Sequence, residues 1–201
     1  MTEEQNTEKR KFGTRAPRRP RFNDRGRMKP VIRRIKILRP TNEGSAEDHT
    51  RSGKDGGLKI IHFGGLGEIG KNNMLAIQYN DEIILIDGGL GFPRQNMPGI
   101  DFSIPNVGYL AGKEDMVKAW FFSHGHLDHI GAVPFILNKV GDPDVYAAPL
   151  TKALILRRLD EFKDRKPPSI DEFKAGDEVS VGKYFKVKAH RINHSVPDDL
   201  L

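Results

Sequence analysis

The chain contains no cysteine. Disulfide bonds, thiolate nucleophiles and cysteine-ligated zinc sites are therefore excluded. No apolar run approaches the roughly 20 residues that a membrane-spanning helix requires, and the first residues are polar and charged rather than a signal-peptide core. We therefore expect a cytoplasmic protein with no membrane partner. Any metal site in this chain must be built from histidine, aspartate and glutamate side chains.

Apolar residues are scarce in the first quarter of the chain. They number 11 in residues 1–57 but 63 in the remaining 144. The same first segment holds sixteen Lys and Arg against eight Asp and Glu, so the net charge of +6 arises there. Its apolar surface is too small to offset the entropy lost on ordering. We predict a disordered basic extension and linker over 1–57 and a folded α/β domain over 58–201.

The basic extension has thirteen Lys and Arg and one acidic residue between Arg10 and Arg39. Such a segment can neutralise nucleic-acid phosphates whatever the base sequence. The simpler interpretation is a solvated tail that only aids solubility, and composition alone does not separate the two. The residues that we expect to contact phosphates are Arg10, Lys11, Arg15, Arg18, Arg19, Arg21, Arg25 and Arg27.

Hydrophobic patterns after residue 57 predict strands alternating with helices, in which sheets pack with helices outside. The predicted strands are Leu58–Phe63, Met74–Tyr79, Glu82–Asp87, Val117–Ser123, Val145–Ala148, Glu178–Val181 and Tyr184–Ile192. The predicted helices are Asp128–Val140, with Pro134 in its first turns, and Thr151–Lys163. The first three strands follow one another closely, so we expect them to form a meander.

Four side chains of the metal-ligand type lie within six positions directly after a predicted buried strand. His124 and His126 are two residues apart, so in an extended segment they point to the same side and can bind one ion, with the slim Gly125 between them. Asp128 and His129 lie on the following turn and can face a second ion. Imidazole and carboxylate are ligands that zinc and manganese accept. A structural role would explain any one of these histidines but not the set.

Two further residues extend this candidate metal site. Asp87 ends a predicted buried strand, where a carboxylate is costly to bury unless it meets a cation or hydrogen-bond donors. We interpret Asp87 as a group that orients a ligand histidine rather than as a direct ligand. The alternative is an ordinary aspartate in a turn at the end of a strand. His194 closes the last predicted strand and is a candidate for the third nitrogen ligand of the first ion.

These residues resemble a known family. The segment His124–His129 has the HxHxDH pattern of the metallo-β-lactamase fold. That pattern alone indicates only a metallohydrolase. The GGLGEIGKN loop at 64–72 and the NHSVPD segment at 193–198 narrow the resemblance to ribonuclease J, of the β-CASP group. The other similar segments are 86–93, 101–106, 123–132 and 191–199.

The resemblance covers about residues 58–201 and implies an αβ/βα sandwich. In the family, the aspartate that bridges the metals, the last histidine of the second site and the β-CASP domain lie further downstream than Leu201. We therefore expect an amino-terminal fragment with a partial metallo-β-lactamase domain, about the first half of the sandwich. Such a fragment is expected to be inactive alone, and any homo-oligomer to form through regions absent from it.

The resemblance also implies the cofactor and the residues that hold it. Two zinc ions are expected in the complete protein, with manganese as an alternative. One ion is assigned to His124, His126 and His194, and the other to Asp128 and His129. Asp128 also has the catalytic role of orienting the nucleophile. Asp87 matches the family's strand-end aspartate.

The function implied is a ribonuclease, both endonuclease and 5′-to-3′ exonuclease, that hydrolyses RNA phosphodiesters in RNA decay and maturation, including rRNA processing. A helix beginning near Asp128 is expected to direct the positive end of its dipole at the anionic RNA. One alternative is a hydrolase of small esters or thioesters, which shares HxHxDH but explains neither the GGLGEIGKN loop nor the basic extension. The other is a non-catalytic RNA-binding module with a vestigial metal site.

Overall fold

The computed structural model describes residues 57–67, 70–93, 97–162 and 166–201. The predicted disordered extension, apart from Gly57, lies outside this part of the chain, as does the predicted end of the second helix at Lys163. Within the described residues, no helix is both long enough and apolar enough to cross a membrane.

A sheet of six strands, arranged in chain order, organises the described residues. The strands are β1 (Lys59–Gly64), β2 (Met74–Tyr79), β3 (Glu82–Ile86), β4 (Val117–Phe122), β5 (Asp144–Ala147) and β6 (Ile170–Glu172). The first three pair antiparallel, which confirms the predicted meander. From β3 to β6 the neighbouring strands are parallel. The sheet is therefore mixed, with its parallel half formed by the later strands.

Besides short 3₁₀ helices, three α-helices and a hairpin complete the regular structure of the described residues. The helices are α1 (Leu127–Ile130), α2 (Val133–Ile136) and α3 (Pro149–Asp160), and the hairpin joins β7 (Glu178–Val181) to β8 (Phe185–Lys188). Pro149 stands at the start of α3, where its missing N–H leaves no intrahelical bond unmade. The predicted second helix and the predicted hairpin are thus present, with shifted ends.

The prediction of one continuous helix over 128–140 is wrong. The chain there forms α1, then α2, then a 3₁₀ turn at Leu137–Lys139. Gly131 separates the two helices and packs so closely against Leu90 that a Cβ atom would overlap it. Pro134 has no N–H to donate to the preceding turn. Close packing and a missing donor therefore interrupt the helical pattern.

Successive side chains of a strand point to opposite faces of the sheet. In the central strands both sets are buried, because each face of the sheet is covered by packed side chains. On one face the core contains Ile83, Leu85, Trp120, Phe122, Ile136 and Ile155, the last two from the helices. On the other face it contains Ile84, Ala119 and Phe121 from β3 and β4, packed with Phe173, with Val181 of the hairpin and with Ala189 directly after it. These two layers fix the positions of β3 and β4.

The carboxyl ends of β3 and β4 lie side by side. The two strands are parallel, and Ile86 is paired with Phe121. The residues that follow each strand therefore emerge at the same edge of the sheet, where ligand sites of parallel sheets commonly form. Asp87 and Ser123 are the first residues beyond these two strands.

Candidate metal centre

Three histidines from two distant segments face a common point. Nε2 of His124 lies 3.0 Å from Nδ1 of His126, and Nε2 of His194 lies 3.2 Å from the same Nδ1 atom. One nitrogen from each ring can be chosen so that all three lie within 4.8 Å of one another. The structure thus brings together the three residues predicted to share one ion. We call them the three-histidine group.

Local backbone packing explains how these histidines meet. His124 follows β4 by two residues, and Gly125 lets the loop pass α3, because a Cβ atom there would overlap the side chain of Leu154. The segment that carries His194 returns to the end of β4, where the N–H of Leu200 donates to the carbonyl of Ser123 at 3.0 Å. A direct backbone hydrogen bond therefore holds the segment that carries His194 beside the segment that carries His124 and His126.

Asp128 and His129 form a second pair of side chains beside the three-histidine group. Oδ2 of Asp128 lies 3.5 Å from Nε2 of His129, and the His124 and His129 rings have centroids 4.0 Å apart. Within the described residues, no third histidine, cysteine or acidic side chain joins this pair at ligand distance. The structure therefore places the two residues predicted for a second ion together and next to the first group.

Asp87 supports both parts of this centre. Its buried carboxylate accepts hydrogen bonds from the N–H and the hydroxyl of Ser123, at 2.8 and 3.0 Å to Oδ1. Its Oδ2 atom lies 2.8 Å from Nδ1 of His129. An ionised carboxylate has no proton, so Nδ1 is the donor, and in the neutral imidazole the lone pair of His129 is on Nε2, towards Asp128. This contact places the carboxylate of Asp87 against a candidate ligand histidine, and its orienting role stays a prediction.

Ser123 was missed by sequence reasoning, although it directly precedes the first motif histidine. Its Oγ lies 3.0 Å from Nδ1 of His124 and 2.9 Å from Oδ2 of Asp87. A hydroxyl has one proton, and that of Ser123 is donated in a hydrogen bond to the Asp87 carboxylate. Oγ therefore accepts a hydrogen bond from the Nδ1–H of His124. The lone pair of His124 is then on Nε2, which faces the three-histidine group.

Asn73 was also missed. Its side-chain amide donates to Oδ2 of Asp128 at 2.8 Å and lies 3.1 Å from Nε2 of His129. Asn73 immediately precedes β2 and directly follows the GGLGEIGKN segment. Only that proximity to a recognised segment could have indicated it, because its partners lie more than fifty residues later in the sequence.

The pKa values of His124 and His129, the two histidines that Ser123 and Asp87 contact, are shifted in opposite directions. Burial, aided by the neighbouring His129, lowers the pKa of His124 to about 4. This imidazole is therefore neutral at pH 7, which is the form that binds metal. Burial also acts to lower the pKa of His129, but the hydrogen bond and charge of Asp87 and the charge of Asp128 outweigh it, so that pKa is raised.

Backbone hydrogen bonds join the loop after β3 to α1. The N–H of Gly88 donates to the carbonyl of His129 at 2.6 Å, and the N–H of Leu90 donates to the carbonyl of Leu127 at 3.0 Å. Gly89 is required here because a Cβ atom would overlap the carbonyl of Asp128. We call residues 87–91 the glycine loop.

The helix expected to begin near Asp128 is present as α1, which has four residues. That its dipole is directed at the anionic RNA stays a prediction. The eight tail residues predicted to contact phosphates, from Arg10 to Arg27, lie outside the described residues.

Comparison with known proteins identifies the family. The metallo-beta-lactamase superfamily matches residues 67–194. The chain belongs to this superfamily. Membership confirms the expected metallo-β-lactamase fold class, and together with the three-histidine group it indicates a metal-binding site.

Relatives within the superfamily confirm the resemblance to ribonuclease J. The chain is 40% identical over 163 residues to "Ribonuclease J" of Thermus thermophilus and 44% identical over 140 residues to "Ribonuclease J" of Mycoplasma genitalium. These alignments cover 79% and 70% of this chain but 27% and 24% of the relatives. The chain therefore spans about a quarter of the length of the curated relatives it matches.

Solved structures of the superfamily are also similar to the chain. The Rm3 metallo-beta-lactamase is 21% identical, with a TM-score of 0.45 over 73% of this chain and 56% of that chain. The subclass B3 enzyme BJP-1 of Bradyrhizobium japonicum is 20% identical, with a TM-score of 0.44 over 73% of this chain and 53% of that chain.

Proposed function

We propose that this chain carries the metal centre of a zinc-dependent ribonuclease. The reaction is hydrolysis of RNA phosphodiester bonds, by endonucleolytic and 5′-to-3′ exonucleolytic cleavage, in cytoplasmic RNA decay and maturation. The observation that carries the proposal is the three-histidine group beside the pair Asp128 and His129. Support comes from similarity to relatives named ribonuclease J.

The donor set fits divalent transition metals. Three imidazole nitrogens, with a neutral His124 among them, form a typical zinc site, and manganese is the alternative for the mixed imidazole and carboxylate pair. His124, His126 and His194 would hold one ion, and Asp128 and His129 would contribute to a second. Bound divalent ions would lower the pKa of a water molecule towards neutral pH and would polarise phosphoryl oxygens.

The protein side chains do the positioning. Asp87 and Ser123 hold His129 and His124 in the tautomers that present Nε2 to the centre. Asp128 is partly exposed, with 23% of its side chain accessible, so its carboxylate can accept a hydrogen bond from the attacking water. Asn73 fixes that carboxylate by donating to Oδ2. Asp128 therefore orients the nucleophile towards phosphorus.

The test uses protein expressed from the complete reading frame that encodes these residues. Zinc content and cleavage of a labelled RNA are measured together for His126→Ala and Asp128→Ala. We expect each variant to lose cleavage by at least about 100-fold, because each removes a group that binds metal or orients the nucleophile. His126→Ala is also expected to lose zinc.

His62→Ala is the matched control, because His62 is an exposed histidine on β1 and is not one of the candidate ligands. Its zinc content and cleavage rate should equal those of the parent, and circular dichroism should show that all three variants are folded. Cleavage that is unchanged in both His126→Ala and Asp128→Ala would refute the proposed function.

A further inference from the structure

One buried carboxylate close to the metal centre has no hydrogen-bond partner. Asp199 is 1% exposed, and neither Oδ1 nor Oδ2 has a partner in the described part of the chain. Asp87 is also a buried carboxylate, but it has the N–H and hydroxyl of Ser123 and the ring of His129 around it. An ionised carboxylate without donors is costly to bury unless a cation compensates it.

The backbone places Asp199 against the end of β4. The residue after it, Leu200, donates its N–H to the carbonyl of Ser123 at 3.0 Å, and the carbonyl of Asp199 accepts from the N–H of Ile192 at 3.3 Å. The charge of Asp199 acts to raise the pKa of both His124 and His129. The unpartnered carboxylate is therefore electrostatically coupled to both parts of the centre.

Two basic residues of the protein are near Asp199 but do not satisfy it. Lys174 and Arg191 line the same small cavity as Asp199. Neither donates a hydrogen bond to its carboxylate, and the ammonium group of Lys174 lies 3.0 Å from Glu172. Compensation by a cation at the metal centre is consistent with the coupling of Asp199 to the histidines.

We propose that Asp199 is an anionic group of the metal centre that raises the affinity of the three-histidine group for a divalent cation. This inference rests on the proposed function, since it requires an ion at His124, His126 and His194. Neutral imidazoles supply electron pairs but no negative charge. A carboxylate in low dielectric lowers the net charge of the loaded centre, and the ion in turn stabilises the buried carboxylate.

The test measures zinc affinity of the full 201-residue chain by competition with a chromogenic chelator. Asp199→Asn removes the charge and keeps the shape. We expect its zinc affinity to fall roughly 10- to 100-fold, as for other groups that support metal ligands. Asp198→Asn is the control, because Asp198 is adjacent and exposed, and its zinc affinity should match that of the parent.

A thermal melt of metal-free protein provides the second measurement. Asp199→Asn is expected to melt at or above the temperature of the parent, because a neutral amide costs less to bury than an unpaired charge. The stabilisation that zinc adds should be smaller in the variant than in the parent. A metal-free variant that melts below the parent would show that the carboxylate stabilises the fold without a cation, and would overturn the proposal.

His126→Ala separates the two proposals. If it loses zinc while Asp199→Asn binds zinc as tightly as the parent, the metal site stands and the role of Asp199 is overturned. If the parent binds no zinc, or His126→Ala binds as tightly as the parent, the three-histidine site itself fails, and the role of Asp199 fails with it.

Discussion

Asp87 contacts histidines from both parts of the metal centre, His129 directly and His124 through Ser123. In each case the proton on Nδ1 is directed away from the centre, which leaves Nε2 as the electron-pair donor. One carboxylate thus selects the tautomer of two candidate ligands. Ser123 connects the Asp87 carboxylate to His124, because the carboxylate itself makes no direct hydrogen bond to His124 within the described contacts.

At the scale of single residues, Ser123→Ala tests the connection between Asp87 and His124. The variant removes the acceptor of the His124 Nδ1–H, so the imidazole is free to adopt the wrong tautomer or to rotate. We expect zinc affinity to fall roughly tenfold while the protein remains folded. Chelator competition measures the affinity, and Ser180→Ala, an exposed serine on β7, is the control. Equal affinity in Ser123→Ala and the parent would show that the hydroxyl does not position His124.

At the scale of elements, Glu82 connects the main sheet to the β7–β8 hairpin. Its carboxylate is buried at the start of β3 and accepts hydrogen bonds from the N–H groups of Lys183 at 2.9 Å and Tyr184 at 3.2 Å. Gly182 allows this approach, since a Cβ atom there would overlap the carboxylate. The tight turn of the hairpin is therefore fixed by a residue about one hundred positions earlier.

Glu82→Ala should destabilise the protein by about 1–3 kcal/mol, because it leaves two backbone donors without their acceptor. Glu178→Ala on the same hairpin should cost clearly less, because it removes only an exposed ion pair with Lys186. Urea unfolding followed by circular dichroism measures both free energies. Equal losses in the two variants would contradict the connecting role of Glu82.

Elements with a strong local pattern were predictable from sequence. β2 was predicted with its observed ends, because a short β-compatible run, MLAIQY, ends at the turn formed by Asn80 and Asp81. The break between α1 and α2 depends on the packing of Gly131 against Leu90, which is a tertiary contact. β6 has three residues, too few for a periodic pattern.

The candidate site divides in the same way. The cluster from His124 to His129 is local in sequence, so its chemistry could be recognised before its geometry. Ser123 and Asn73 belong to ordinary residue types and acquire their contacts only when distant segments meet. Asp199 could not be distinguished from its exposed neighbour Asp198, because burial is a property of the fold.

At the scale of the whole molecule, charge is divided between two regions. Residues 58–201 hold 17 Lys and Arg against 19 Asp and Glu, whereas the first 57 residues are strongly basic. A slightly acidic domain does not attract a polyanion over distance. If RNA is the substrate, as proposed, we expect the extension to supply most of the sequence-independent affinity of this chain for RNA.

Deletion of residues 1–57 should therefore weaken RNA binding and flatten its salt dependence. The slope of log affinity against log salt is about −0.7 per phosphate neutralised on single strands, so loss of several contacts changes it by several units. Fluorescence anisotropy across a potassium chloride series measures this slope. A chain with the extension scrambled but of equal composition should keep the parent slope. A slope that survives the deletion would leave the extension as a solubility tail.

The glycine loop has one further consequence, for the entropy of ligation. Its bonds from Gly88 to His129 and from Leu90 to Leu127 join backbone atoms only, so they do not depend on an ion. The segment that carries Asp128 and His129 is thereby already held in place, and an imidazole has only two side-chain torsions left to lose. Ligation by this segment therefore does not have to order a loop, in contrast to small domains whose metal site forms only as the ion binds.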